Sequence, residues 1–285
     1  MKENGDETGE APIENKKTIE QYLEEIKKAC SIYAKMIHRN FKNEHYNRHF
    51  RNLQSILSKP SYIFLMHLMQ LELPEKDTIE ILKAIETFML RRHICEWRTG
   101  EHDEIFAKLV KQLDSANMVE SVTKALKEDM PVDEDFKISF PKHHFKGRLV
   151  DRAKYVLEQI EYYKTGDTGE ITVNLGRDVH LEHIIPETIT TKKSKREFGN
   201  WEEYLGANAN VKHRKFVHLI GNMTLLAGYL NITASNNPFG MKKKCYKKSS
   251  INLTRELSKL ANFKFYNVNK RGEELSDLAL KIWNL

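Results

Sequence analysis

The stretch DVHLEHIIPE, Asp178 to Glu187, decides how this chain is read: it sets His180, Glu182 and His183 on a short apolar segment that closes at Pro186. Most of the chain before it has the period of helices, whereas a short β-rich or irregular region surrounds it before helical patterns resume. Two histidines three apart suit a zinc ion, but a closed zinc site needs four ligands and no cysteine pair completes one here. His180-Leu-Glu182 matches the HxE of zinc deaminases, whose PCxxC is missing, and HExxH is absent.

Upstream, Ile19, Leu23, Ile26, Cys30, Tyr33 and Ile37 recur at spacings of three and four, which predicts a long amphipathic helix. Phe50, Leu53, Ile56 and Leu57 form a second apolar set that stops before Pro60, because the residue preceding a proline disfavours the α region. Ser61 to Leu71 is apolar nearly all round and predicts an interior helix. Asp77 to Glu80 has the letters of a capping box and is expected to open the helix carrying Ile81, Ile85, Phe88 and Met89. Two helices are expected near Glu101 to Leu113 and Ser115 to Lys127. Pro131 and Pro141 then break the pattern, and Leu149, Ala153, Val156, Leu157 and Ile160 mark one more helix. Gly166 and Gly169 read as a turn, and Ile171 to Leu175 alternates like a strand. Later helices are expected at Phe239 to Lys248, Leu253 to Leu260 and Glu273 to Trp283.

The resulting expectation is a mainly α chain with a small α+β part: a solvated tail over 1–16, a helical spacer or scaffold over 17–165, and a second domain over 166–285. The tail lacks the apolar segment of a signal peptide, and no run of apolar residues reaches membrane length, which points to the cytoplasm. Three cysteines far apart, with no CxxC, fit inert thiols in a reducing compartment. Net charge is +6 but unevenly spread: residues 191–285 hold 18 Lys and Arg against 7 Asp and Glu. A polyanion partner, nucleic acid first, follows from that asymmetry.

Glu182-His183-Ile-Ile-Pro186 resembles the D/E-H-I-x-P opening of the HNH, or ββα-metal, nucleases. In that superfamily an asparagine in the loop of the β-ribbon is followed nine residues later by a histidine or asparagine at the start of a helix. Asn222 in GNMTLL and Asn231 in GYLN stand nine apart. The likeness extends to Leu285: Gly221, Asn236, Phe239, Lys242, Tyr246, Arg271 and Trp283 match the pattern of GmrSD-type modification-dependent restriction endonucleases. Met223 replaces the usual leucine, and His180 is an addition. The helical half resembles the spacer that precedes this domain in the family.

The resemblance implies an HNH-type, metal-dependent DNA endonuclease of a restriction or phage-defence system, acting on modified or foreign DNA. It implies His183 as general base, an imidazole that can take a proton near neutral pH. Glu182 and Asn231 would hold Mg²⁺ or Mn²⁺, hard ions suited to oxygen ligands. Asn222 would pin the loop and orient His183, completing a catalytic set of His183, Asn222 and Asn231. Lys242, Lys243, Arg271 and His180 are candidate nucleic-acid contacts, with Lys242 to Lys248 forming a phosphate-facing stripe. The implied partners are DNA and a nucleotide-hydrolysing ParB-like domain or subunit that this chain lacks; homo-oligomers remain open. The alternative is a non-catalytic DNA-binding or partner-docking module with a degenerate HNH domain, and a third is an RNA-directed nuclease or toxin.

Overall fold

In the computed structural model, residues 17–112, 116–166 and 178–285 are described. The predicted tail over 1–16 and the predicted strand Ile171 to Leu175 lie outside these residues. The order is α1 Ile19–His38, α2 Glu44–Ile56, α3 Tyr62–Gln70, α4 Glu75–Ile94, α5 His102–Gln112, α6 Met118–Glu128, α7 Asp133–Ser139 and α8 Val150–Thr165. Then come β1 Val179–His183, α9 Lys192–Phe198, α10 Trp201–Leu205, α11 Ala209–Phe216, β2 Met223–Ala227, α12 Gly228–Ala234, α13 Phe239–Tyr246, α14 Asn252–Leu257 and α15 Phe265–Ile282. The chain is mostly helical, with one small antiparallel sheet of β1 and β2.

Helix α1 opens on a capping box, Thr18 with Gln21, but most of its apolar stripe is not covered. Ile19, Leu23, Ile26 and Tyr33 are exposed, while Ile32 and Met36 near its C-terminus are buried. Only the last turns meet the rest of the helical core. Helix α2 ends as its sequence suggests, with Leu57 in the left-handed region at φ 66° closing the C-terminus before Pro60. The expected capping box at Asp77 to Glu80 does not form. Helix α4 starts earlier, after Pro74, so Glu75 and Asp77 already lie in its first turn, where carboxylates favour the exposed N–H groups. Between the two prolines the chain forms α7 rather than a simple break, and α15 starts at Phe265, ahead of the expected Glu273.

The sheet pairs Val179 with Ala227, His180 with Leu226, Leu181 with Leu225, Glu182 with Thr224 and His183 with Met223. Alternation along a strand sends successive side chains to opposite faces. Leu225 and Met223, with Val179 and Leu181, pack into a core built from α2, α3, α4 and α8, among them Phe50, Phe64, Phe88 and Val156. Leu226 faces a second core of Ile184, Ile185, Trp201, Leu230, Phe239, Tyr246 and Phe263. The hairpin is thus a wall between two cores. The first core also takes in Ile251, Leu275 and Trp283, so the change of character at Gly166 is not a gap in packing.

Helix α12 leaves β2 without a loop and packs on both strands, and the Gly228 N–H donates to the Asp178 carbonyl at 2.6 Å. Helix α15 presses on the turn before β2. An added Cβ at Gly221 would lie 2.0 Å from the Val268 carbonyl oxygen, so only glycine fits there.

Candidate functional site

The end of β1 is fixed by Asn222. This residue is fully buried, and its amide group donates to the carbonyls of Ile185 and Val217, each at 2.9 Å. Its Oδ1 accepts from the Ile185 N–H at 2.8 Å, and its own carbonyl accepts from the Ile184 N–H at 2.9 Å. One residue, through its side chain and its own carbonyl, therefore ties the turn before β2 to the two residues that follow His183. Arg271, on α15, supports the same turn from behind: its Nη1 donates to the carbonyls of Ile220, Gly221 and Met223 at 3.3, 3.1 and 2.6 Å. Burial holds its guanidinium down at about 10. A cation spent on buried carbonyls does not face a DNA phosphate, which removes Arg271 from the expected contacts.

Glu182 and His183 are adjacent in sequence and differently housed. Glu182 points into the second core at 5 % exposure, where its Oε1 accepts from Lys242 Nζ at 2.7 Å and from Tyr246 Oη at 2.8 Å. Lys242 also donates to the His183 carbonyl at 2.7 Å. At 1 % exposure, Lys242 is an internal cation rather than part of a surface stripe, which corrects the expectation of a phosphate contact there. Burial lowers its ammonium pKa while Glu182 pulls it back up, and the Tyr246 hydroxyl is pushed well above its usual value by burial and by the same carboxylate. The stripe keeps Lys244, Lys247 and Lys248 exposed; Lys243 is half-buried, with its Nζ 6.0 Å from the centre of the Phe239 ring.

His183 has no such closure. Its Nε2 is buried without a hydrogen-bond partner, and Glu187 Oε1 stands 3.8 Å away. His218 Nδ1, also buried and unpartnered, lies 3.8 Å from the same oxygen, and the two rings meet edge to face at 5.7 Å. Burial, then His218, Lys242 and His213, lower the His183 pKa to about 3, so its ring is neutral at physiological pH. Burial also lowers His218. Among the described residues, His183, Glu187 and His218 are the group whose ligand atoms could share a metal ion.

The neighbouring His213 Nε2 is 2.7 Å from the Pro186 carbonyl, tying α11 to the segment after β1. His218 is held by its backbone: its carbonyl accepts from the Phe145 N–H at 2.8 Å, beside a His144–Leu219 bridge. Asn231, in α12, has its Oδ1 buried and without a partner. His180 is exposed, with its ring over Gly228 at the start of α12.

A family model described as the C-terminal domain of GmrSD restriction endonucleases matches residues 130–278. The chain belongs to this family. The match takes in β1, the Asn222 turn, β2, α12 and most of α15, and it starts upstream of Phe145, whose N–H holds the His218 carbonyl. The GmrSD chain thus carries a nuclease module of restriction endonucleases. No curated protein matches it. No helix among its described residues is long and apolar enough to cross a membrane.

Glu187 and His218 were not singled out by the sequence. Glu187 closes the DVHLEHIIPE stretch, four residues after His183, where a strand pattern gives no reason to bring the two together. His218 sits four residues before Asn222, and only the pairing of His183 with Met223 brings it back beside the end of β1.

Proposed function

We propose that this GmrSD chain is an HNH-type endonuclease that hydrolyses DNA phosphodiester bonds with the help of Mg²⁺ or Mn²⁺, as part of a restriction system against modified or foreign DNA. The observation that carries the reading is the Asn222 clamp, which locks the two residues that follow His183 and so holds the end of β1. With Nε2 turned inward toward Glu187 and His218, Nδ1 is the nitrogen that takes the proton from water. Burial keeps the ring in its neutral, proton-accepting form, and makes it a weaker base than a free imidazole. Asn222 acts as a positioning residue by holding the ring's backbone.

The donor set suits a hard divalent ion. Asn231 offers a buried amide oxygen that no protein group satisfies, and Lys242 and Tyr246 engage only Oε1 of Glu182, which leaves Oε2 to bind. When bound, such an ion supplies Lewis-acid stabilisation of the scissile phosphate and of the leaving oxygen. Lys242 holds Glu182 in place. Phosphates along the duplex meet the exposed cations Lys244, Lys247 and Lys248, and Lys212, Arg214 and Lys215 of α11. By the family resemblance, a nucleotide-hydrolysing ParB-like domain or subunit is the partner that controls cutting.

Plasmid cleavage with Mg²⁺ or Mn²⁺ tests the reading. His183→Ala is expected to lower the rate by at least about 100-fold, the scale of lost general-base catalysis; a variant that cuts as well as the native chain rejects His183 as the base. One observation favours a second reading, a DNA-binding module without catalysis: the Lys242 ammonium already occupies the Glu182 carboxylate. Divalent-ion calorimetry separates the two. DNA binding that survives with no Mg²⁺ or Mn²⁺ binding selects the second.

A further inference from the structure

We infer that His183, Glu187 and His218 form a binding site for a zinc-type transition-metal ion, separate from the oxygen ligands Glu182 and Asn231. Three facts converge on it. His183 Nε2 and His218 Nδ1 are both buried and both lack a hydrogen-bond partner. Each lies 3.8 Å from the same Glu187 oxygen, beyond hydrogen-bond range, so the three groups face one another without satisfying one another. All three ligand atoms fall within 4.8 Å of each other.

A buried polar atom left unpaired costs about 1–3 kcal/mol, and two imidazole nitrogens with one carboxylate aimed at a common point are relieved together by a cation. Zinc bonds of about 2.0–2.2 Å place tetrahedral ligands roughly 3.4 Å apart, so each imidazole nitrogen closes on the Glu187 oxygen by a few tenths of an ångström, and the two rings, whose ligand atoms lie within 4.8 Å of each other, turn toward a common ion by up to about 1.4 Å. Glu187 can make that movement, since its side chain is 60 % exposed. Two nitrogen donors and one oxygen select zinc-type ions over Mg²⁺, whose preference is for oxygen alone. Three protein ligands leave a fourth position open.

The backbone is built to hold the trio. The Asn222 clamp sets the end of β1, and the Phe145–His218 hydrogen bond sets His218. An ion bound through His183 Nε2 places the ring proton on Nδ1. If the nuclease reading holds, the occupied site therefore keeps His183 from accepting a proton there; that consequence alone rests on it.

Co²⁺ serves as the probe, titrated into the full chain without DNA and followed by visible absorption, with Zn²⁺ as competitor. The expected result is one Co²⁺ per chain, with the strong bands of a low-coordinate site, displaced by Zn²⁺. Glu187→Gln, a change at an exposed side chain that leaves the fold intact, and His218→Ala each weaken binding by at least about tenfold. Glu182→Gln and Asn231→Ala keep it. Unchanged Co²⁺ affinity in both Glu187→Gln and His218→Ala overturns the site, as does a spectrum lost only in Glu182→Gln or Asn231→Ala. The readout is binding, so a nuclease reading that fails in the cleavage assay leaves this result unaffected.

Discussion

The polar centre of the helical core and the end of β1 bury comparable chemistry and treat it in opposite ways. In the first, Glu86 pairs with His49 Nδ1 at 2.6 Å and accepts from Tyr155 Oη at 3.0 Å and from Asn52 Nδ2 at 3.2 Å. Trp283 then donates its Nε1–H to the Tyr155 hydroxyl at 2.9 Å, so the carboxylate ends in a closed network joining α2, α4, α8 and the C-terminus. At the end of β1, His183, His218 and Asn231 keep buried atoms without partners. Polar groups closed by the protein hold a fold together; those left open by a rigid backbone are available to a ligand. Glu182 lies on the border, closed on Oε1 by Lys242 and Tyr246 yet next in sequence to the open His183.

The largest test opens the closed side. Lys242→Met is expected to cost about 3–5 kcal/mol in urea unfolding, because it strands the Glu182 carboxylate in the second core with Tyr246 alone. Adding Glu182→Gln removes the stranded charge and should recover much of that loss. A single-variant cost below about 1 kcal/mol would show that water reaches the pair and that Glu182 is not closed.

The closed and open sites were unequally legible in the sequence. Helices α1 to α4 and α8 follow from apolar spacing, because a helix face repeats locally and needs no knowledge of its partner. The solvent-facing stripe of α1 shows the limit: spacing gives the face and not what covers it. Asn222 and Asn231 were found through a family spacing, and His183 through the same pattern. The partners of Glu182 could not be read, since Lys242 and Tyr246 look like members of a basic surface helix until the hairpin buries one side of α13. Glu187 depended on how the chain turns after Pro186, and His218 on strand register, which a sequence leaves open when an insert holding α9, α10 and α11 separates the paired strands.

A middle-sized test compares the open His183 with a closed histidine. His93 Nδ1 lies 3.0 Å from Arg152 Nη2, which can only donate, so the ring must be neutral; burial, then Arg152, lower its pKa to about 3. With a folded pKa below the unfolded value near 6.5, the folded state binds fewer protons between those limits. The stability it contributes is full above pH 6.5 and is lost as pH falls toward 3. From pH 6.5 to 5 the loss from this group is about 2 kcal/mol. His143, lowered to about 4 chiefly by burial, adds in the same direction. His93→Gln, which keeps an acceptor for Arg152, should flatten this part of the acid limb; an unaltered slope in chemical unfolding at several pH values would mean that His93 opens to water before the fold does.

The smallest effect on the fold, and the one that sharpens what the open end of β1 is for, belongs to the cations outside it. Arg214 and Lys215 are exposed on α11 and follow His213, whose ring meets the Pro186 carbonyl three residues after His183. Replacing both with alanine removes no buried contact, so unfolding should shift by less than about 0.5 kcal/mol. If the open groups serve a DNA backbone, the same change removes up to two phosphate contacts and lowers the slope of log affinity against log salt by about 0.9 for each. Measuring duplex binding across a salt series, with Lys83→Ala on α4 as a distant control, reads that slope directly. A slope that falls equally in the control assigns the effect to overall charge; one that falls only with Arg214 and Lys215 locates the duplex beside His183 and His218, where the unpartnered atoms are.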